Sequence, residues 1–202
     1  MRDGDGFRVE LVGRFVRLEP LSLDHAVGML LAADEETFGF LPTRPDQWDT
    51  GGFRHYVEKL VRLPNHQAFA VFSLKTGRVI GSTSYADIRH EHRGLEIGYT
   101  WLSPSERGTA TNPEMKRLML AHVFENRVFP KGPAMRVMLK TDRLNERSQR
   151  AIERIGAVRE GLLRNHMIMP DGRVRDTVMY SIIDIEWPAV RDGLDTRLAA
   201  FA

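Results

Sequence analysis

The stretch Ser103-Pro104-Ser105-Glu106-Arg107-Gly108-Thr109-Ala110-Thr111-Asn112-Pro113-Glu114 decides how the whole sequence is interpreted. It joins a strand-like run, residues 95–102, to a helix-like run, residues 115–124. Gly108 allows a backbone bend that a Cβ atom would hinder, and the start of a helix presents unpaired N–H groups and a positive dipole end. Such a joint predicts an anion site, typically for phosphate. An ordinary turn from strand to helix is the alternative.

The composition limits the class of protein. The 202 residues, 42% of them hydrophobic and 28% charged, predict one soluble domain over residues 1–202, with a core at 8–188 and a C-terminal helix at 189–202. There is no cysteine, which excludes disulfides, thiolate metal sites and a cysteine nucleophile. No apolar run approaches the roughly 20 residues of a membrane span, and the start lacks a signal-peptide core. We therefore expect a cytoplasmic protein without a membrane partner, and the net charge of +2 is too small to indicate nucleic acid.

A meander of three strands precedes the joint, and one crossover follows it. The strand-like runs are residues 67–74, 79–88 and 95–102. A helix at 113–126 then leads to a strand at 135–141. If strands 95–102 and 135–141 lie side by side they are parallel, and the joint lies at the carboxyl end of the first, where α/β sheets bind ligands.

Further motifs complete the pattern. Residues 145–155 predict a short helix that Gly156 ends. Residues 158–169 and 174–183 predict two strands joined by Pro170-Asp171-Gly172, a strong hairpin signal. The segment 35–48 is irregular, and it either covers a cleft or packs beneath the domain.

Five short motifs, in this order, carry a family resemblance: Val16–Leu21, Leu95–Tyr99, Gly108–Asn112, Asn145–Ser148 with Gly156, and Arg175–Tyr180. Together they resemble the GNAT superfamily of acyl-CoA-dependent N-acyltransferases, and within it the RimJ/RimL-type ribosomal-protein-alanine N-acetyltransferases. The resemblance implies an α+β (mixed α/β) GNAT fold. Its central twisted sheet has about seven mostly antiparallel strands, with one parallel pair splayed at the cofactor site, helices on both faces and an extra C-terminal helix.

The same resemblance implies acetyl-CoA as co-substrate and no metal. The GNAT loop has the pattern Gln/Arg-x-x-Gly-x-Gly/Ala, and its main-chain amides hold the pyrophosphate of the cofactor. The three defined positions of this pattern are occupied here by Ser105, Gly108 and Ala110. Ser105 departs from the pattern, which has Gln or Arg at that position. The implied cofactor-binding residues are Leu102, Ser103, Arg107, Gly108, Thr109, Ala110, Thr111, Asn112, Asn145 and Ser148. Arg107 or Lys116 could add contacts to phosphates; the alternative is that both are solvated surface cations.

The resemblance also implies roles on the short helix. Asn145 matches the residue that contacts the pantetheine arm, and it also suits the N-cap of the helix. Ile152 stands where many GNAT members have a tyrosine as general acid. Ser148 is the candidate for stabilising the departing CoA thiolate; its alternative is a hydrogen bond within the helix.

A general base completes the expected chemistry. Strand alternation predicts Leu95, Ile97, Tyr99 and Trp101 on one face of the sheet and Glu96, Gly98 and Thr100 on the other. Glu96 is the first candidate for the base and Glu160 the second; an ion-paired structural carboxylate is the alternative for Glu96. The acyl oxygen is expected to accept a hydrogen bond from a main-chain N–H near Leu102 or Ser103.

These features predict an acetyl-CoA-dependent N-acetyltransferase. The acceptor is a primary amine, on a protein N-terminus or a small molecule, that attacks directly in a ternary complex, and a homodimer is compatible with the sequence. One alternative is a non-catalytic acyl-CoA-binding sensor or interaction domain, motivated by Ile152 and the altered loop. The other is an unrelated nucleotide-binding domain, against which the loop lacks the Gly-Lys-Ser/Thr ending of a P-loop.

Overall fold

One mixed sheet organises the part of the chain that the computed structural model describes, residues 6–201. Its strands are β1 (Leu11–Val12), β2 (Val16–Pro20), β3 (Gln67–Ser73), β4 (Val79–Arg89), β5 (Gly94–Leu102), β6 (Arg136–Asp142), β7 (Val158–Ile168) and β8 (Val174–Ile183). The helices are α1 (Ala26–Ala32), α2 (Thr50–Val61), α3 (Thr111–Glu125), α4 (Glu146–Glu153) and α5 (Trp187–Ala199). The eighth strand, beyond the seven or so expected, is the short β1, which forms a hairpin with β2.

The strand order is β1-β2-β3-β4-β5-β6-β8-β7. The predicted parallel pair is confirmed, because β5 and β6 run parallel while the other neighbours are antiparallel. The paired register extends only from Gly94 opposite Arg136 to Glu96 opposite Met138. Past that point the two strands separate towards their carboxyl ends, and a cleft opens between them.

Helices cover both faces of the sheet, as expected. On one face, α3, α4 and α5 pack on a large core that includes Leu95, Val137 and Val178. On the other face, α1 and α2 pack on a smaller core that includes Phe53 and Trp101. The final helix begins at Trp187 rather than at residue 189, since Pro188 is tolerated in a first turn. Within residues 6–201, no helix has the length and apolar character that crossing a membrane requires.

A bulge in β5 overturns the expected alternation of this strand. Ser84 pairs with Gly98 and Ser82 with Trp101, so Tyr99 and Thr100 together lie opposite a single residue of β4. Tyr99 has a φ of 52°, in the left-handed region. An extra residue shifts every later side chain to the opposite face.

The consequence is visible in the two cores. Leu95 and Ile97 pack on the α3 face, but Trp101 packs with α1 and α2. Thr100 likewise moves to the α3 side, where its hydroxyl lies 2.8 Å from that of Thr83 and accepts from a lysine of α3. The bulge therefore lies in the part of β5 that lines the cleft.

The first turn of α3 is tied to the amino-terminal hairpin by one buried carboxylate. Glu114 Oε1 accepts the N–H of Arg14 at 2.8 Å, and Oε2 accepts those of Phe15 and Val16 at 2.6 and 2.8 Å. A Cβ atom at Gly13 would come within 2.5 Å of this carboxylate. Glu114 thus holds the amino end of α3 at the mouth of the cleft.

Candidate active site

A cavity of about 920 Å³ occupies the gap between the separated ends of β5 and β6. Most of its walls come from five places: the second half of β5, the end of β6, the loop and first turns leading into α3, the exposed face of α4, and residues 36–42 between α1 and α2. Single residues of β7, β8 and α5 complete the lining: Met167, Arg175 and Arg197. Ligand cavities typically measure roughly 300–1,000 Å³. Most of the residues predicted from the sequence converge on this one cleft from segments far apart in the chain.

The loop before α3 forms one end of the cleft. Gly108 has a φ of +80°, and a Cβ atom there would meet no atom within 4 Å, so the backbone is open to a ligand. Two bonds brace the loop: the Thr109 hydroxyl donates to the Glu106 carbonyl at 2.9 Å, and the Thr111 hydroxyl donates to the Glu106 carboxylate at 2.6 Å. Arg107, Gly108, Thr109 and Asn112 line the cleft. This end combines a helix amino terminus with exposed backbone, which suits an anion.

Three of the predicted cofactor residues turn away from the cleft. Ser103, Ala110 and Thr111 are buried and do not line the cavity, whereas Leu102 does. The Ser103 N–H donates to the Ile80 carbonyl at 2.8 Å, so the expectation that it polarises an acyl oxygen is wrong. This bond continues the pairing of β4 and β5, so the Ser103 N–H is not free to donate to a ligand.

The start of α4 forms a second wall. Asn145 Oδ1 accepts the Ser148 N–H at 3.0 Å, so the predicted N-cap is confirmed. This cap uses the oxygen of the side-chain amide, and its NH₂ group is left for a ligand. Ser148 lines the cleft together with Ala151, Ile152 and Ile155, which lie three, four and seven residues further along the chain and so share its face of the helix.

Glu96 lies inside the cleft, on the face opposite α3. The residue is 3% exposed, and its Oε2 lies 2.7 Å from Lys140 Nζ. A Cβ atom at Gly98 would come within 2.2 Å of the Glu96 carboxylate, so the glycine makes room for it. Burial raises the pKa of Glu96, and the attraction of Lys140 partly opposes that shift. A carboxylate with a raised pKa inside a cleft is a candidate proton acceptor.

Glu160 does not reach the cleft. Its carboxylate pairs with the guanidinium of Arg136, at 2.7 Å from Nη1, and accepts the Ser181 hydroxyl at 2.8 Å. The hydrogen bonds from Arg136 lower the pKa of Glu160. The second base candidate is therefore wrong, because the residue serves in an ion pair outside the cavity.

Lys116 is not the solvated cation considered from the sequence. It is 5% exposed, it lines the cleft, and its Nζ donates to the Thr100 hydroxyl at 2.9 Å. Burial lowers its pKa to about 7. The sequence contained one indication of this burial, because Met119 and Leu120 follow Lys116 by three and four residues and therefore share its face of the helix.

Arg175, in the middle of a quoted family motif, was given no role from the sequence. It lines the cleft and is 4% exposed. Its Nε donates to the Thr177 hydroxyl at 3.0 Å, and Nη1 donates to the Phe40 carbonyl at 3.3 Å. The irregular segment 35–48 thus covers the cleft at this point. Within residues 6–201, no group of three or more His, Cys, Asp or Glu side chains is placed to hold a metal ion.

The comparisons with known proteins agree with this geometry. The model of the GNAT acetyltransferase domain family matches residues 16–158. A proposed acetyltransferase from T. thermophilus is 41% identical and superposes with a TM-score of 0.86, over 95% of this chain and 98% of the other. A GCN5-related N-acetyltransferase from Brucella melitensis is 29% identical, with a TM-score of 0.85 over 95% of this chain and 86% of the other.

A more distant structure contains a form of coenzyme A. Mycobacterium smegmatis RimJ in complex with CoA-disulfide is 20% identical, with a TM-score of 0.78 over 95% of this chain and 96% of the other, which is a likeness of fold. No curated protein matches the chain. The fold and the family match thus define an acyltransferase. The chain belongs to the GNAT acetyltransferase family and is an acyltransferase enzyme.

Proposed function

We propose that this enzyme transfers the acetyl group of acetyl-CoA to a primary amine, on a protein N-terminus or a small molecule, by direct attack in a ternary complex. The observation that carries the proposal is that one cleft contains the open backbone at Gly108, the capped start of α4 and the buried carboxylate Glu96. Family membership supports an enzyme over the non-catalytic alternative.

The anion end of the cleft fits the cofactor. The main-chain N–H groups of Gly108, Thr109 and Asn112 and the positive end of α3 are suited to the pyrophosphate, because these residues line the cavity and the backbone at Gly108 is open to it. The Asn145 amide is suited to the pantetheine arm that enters between β5 and β6. Arg107 lines this end and adds a positive charge.

The reacting groups meet near the bulge. The amine nitrogen forms a bond to the acyl carbon, the carbon–sulfur bond breaks, and the electron pair leaves with the thiolate of CoA. Glu96, directly or through a water, takes the proton that the amine loses. Ser148, which lines the cleft, stabilises the thiolate with its hydroxyl in this proposal. In this proposal, a main-chain N–H at the bulge, from Tyr99 or Thr100, polarises the acyl oxygen.

The acceptor is suited to enter from the face opposite α3, where Glu96 lies below segment 36–42. A RimJ/RimL-like action on protein N-termini is one form of this proposal, supported by the fold likeness to RimJ. A small amine is the other form.

A free-thiol assay tests the proposal without background, because the protein has no cysteine. We expect acetyl-CoA to raise the melting temperature through binding to the folded state, and CoA thiol to appear only when an amine acceptor is added. Mass spectrometry should find the acetyl group on the amine. No thermal shift at millimolar acetyl-CoA, or no turnover with any peptide or small amine in a broad panel, would contradict the proposal.

A further inference from the structure

Arg175 carries a buried positive charge that no carboxylate in residues 6–201 pairs with. A guanidinium has about five N–H donors, and the bonds to Thr177 and Phe40 use two of them. Within the described residues, Nη2 makes no hydrogen bond. The side chain lines the cleft at 4% exposure, so its remaining donors can be satisfied from the cavity. A buried charge without a partner is costly to the folded state.

The nearest carboxylates are already engaged. Asp142 Oδ2 accepts from Arg173 Nη2 at 2.7 Å, and Glu96 pairs with Lys140 at 2.7 Å. Each of these two acids therefore has its own cation, and Arg175 is the additional positive charge beside them. His166, which contacts Thr177 at 3.0 Å, adds no negative charge to compensate it.

The phosphates of a cofactor are not suited to supply the missing anion. Val178 packs in the core beneath α3, so by strand alternation Arg175 and Thr177 face the other side of the sheet. Lys140, next to the core residue Leu139, faces that side as well. The proposed phosphate site, residues 107–112, lies at the start of α3 and therefore on the α3 side of the sheet. Arg175 thus stands on the same side of the sheet as Glu96, where the proposed acceptor enters.

The guanidinium is also oriented in advance. Thr177 holds Nε, and the Phe40 carbonyl holds one hydrogen of Nη1, which leaves the fork between Nη1 and Nη2 open. That fork matches the two oxygens of a carboxylate. Because its rotamer is already fixed, binding costs little further ordering.

We propose that the acceptor is an amine that also carries a carboxylate, and that Arg175 binds this carboxylate while the amine is directed to Glu96. Such an acceptor has a group for each side chain, because its carboxylate pairs with Arg175 and its amine gives up a proton to Glu96. This inference rests on the proposed N-acetyltransferase function and makes Arg175 a specificity residue.

Matched acceptor pairs test the inference, with CoA thiol release as the readout. One arm compares free amino acids with their amides. The second arm compares peptides that begin with Asp or Glu with peptides that begin with Asn or Gln. We expect the carboxylate member of at least one arm to have a kcat/KM about 10- to 100-fold higher, and the arm that shows it identifies the source of the carboxylate.

Variants show whether Arg175 is responsible. In Arg175→Gln the preference should fall to near unity, with the neutral member of each pair little affected, and Arg175→Lys should keep part of it. Arg143→Gln is the matched control, because Arg143 pairs with Asp176 at 3.4 Å, does not line the cleft and leaves the bond between Arg173 and Asp142 intact. It should keep the full preference.

The outcomes separate the two proposals. Equal kcat/KM for both members of every pair in the wild type overturns the carboxylate inference and leaves the proposed function standing, as does an equal loss for both members in Arg175→Gln. Turnover of no amine at all, with acetyl-CoA binding retained, overturns the proposed function and this inference with it. If Arg175→Gln does not fold, the wild-type pairs and Arg175→Lys still decide.

Discussion

Lys140 and Glu96 form an ion pair where β5 and β6 begin to separate, with Nζ 2.7 Å from Oε2; Glu96 is the last paired residue of β5, and Lys140 lies two residues beyond its partner Met138. An ion pair, rather than a contact between apolar side chains, therefore bridges the two parallel strands where they begin to separate. Burial raises the pKa of Glu96 and Lys140 limits that rise. The pair thus opposes the shift towards the protonated form that burial of the carboxylate favours.

Replacing Glu96 by Gln should lower kcat by about 100-fold or more, since general bases contribute roughly 10²–10⁴. The dissociation constant of acetyl-CoA should stay within about twofold, because Glu96 lies on the acceptor side of the cleft. Steady-state kinetics and calorimetric titration measure the two quantities. Unchanged turnover would remove Glu96 from the role of base.

The pH profile gives a separate check on Glu96. A base must be ionised to act, so kcat/KM should fall as the pH drops through its pKa, and burial places that midpoint above the ordinary value for a glutamate. Lys140→Met removes the opposing attraction and should move the midpoint further upward. A midpoint that moves down in Lys140→Met would contradict the assignment of this limb to Glu96.

Lys116 predicts an unusual dependence of stability on pH. Its pKa is about 7 in the folded protein against an ordinary 10.5, so between these values the unfolded chain binds more protons. The free energy of unfolding should therefore rise with pH in this window, by at most about 1.4 kcal/mol per pH unit. Lys116→Met should remove this rise and stabilise the protein near neutral pH.

Urea unfolding at several pH values measures this slope. Lys75→Met is the control, because Lys75 lies exposed in the turn between β3 and β4 and should leave the slope as in the wild type. The same slope in Lys116→Met as in the wild type would show that Lys116 is charged in the folded protein.

Glu114→Gln should lower the free energy of unfolding by about 1.5–3 kcal/mol. The amide has one acceptor oxygen for three main-chain N–H groups, so at least one buried donor loses its partner. Glu58→Gln, which breaks only an exposed pair with Arg62, should change it by less than about 1 kcal/mol. Equal effects in the two variants would contradict the anchoring role of Glu114.

Gly108→Ala separates backbone strain from cofactor binding. Gly108 and Gly77 both have positive φ, +80° and +67°, and a Cβ atom at either meets nothing within 4 Å. Alanine at either position should cost about 1–2 kcal/mol of stability. Only Gly108→Ala should weaken acetyl-CoA binding, by about tenfold, because its Cβ atom would occupy part of the open space beside the backbone that the cofactor is proposed to use. Calorimetry that finds equal affinity in both variants would remove this loop from the cofactor site.

Local signals in the sequence determined much of the fold. Gly108 after a strand, Asn145 before a helix and Pro170-Asp171-Gly172 between two strands each specify a backbone shape within a few residues. Each of these features is present in the structure. The parallel pair follows from the same local pattern, because a strand, a helix and a strand in succession form a crossover.

Tertiary structure alone decided the chemistry of the cleft. The bulge at Tyr99 depends on the register that β5 adopts against β4; Gly98 before it is compatible with a bulge but does not fix its position. The burial of Lys116 and Arg175 and the ion pairs of Glu96 and Glu160 arise between segments distant in the chain. By itself, then, the sequence determined the elements, their order and the loop at Gly108, because propensities and turns act locally. Which carboxylate enters the cleft, and which cation is left there without a partner, was decided only when distant strands came together and removed these side chains from water.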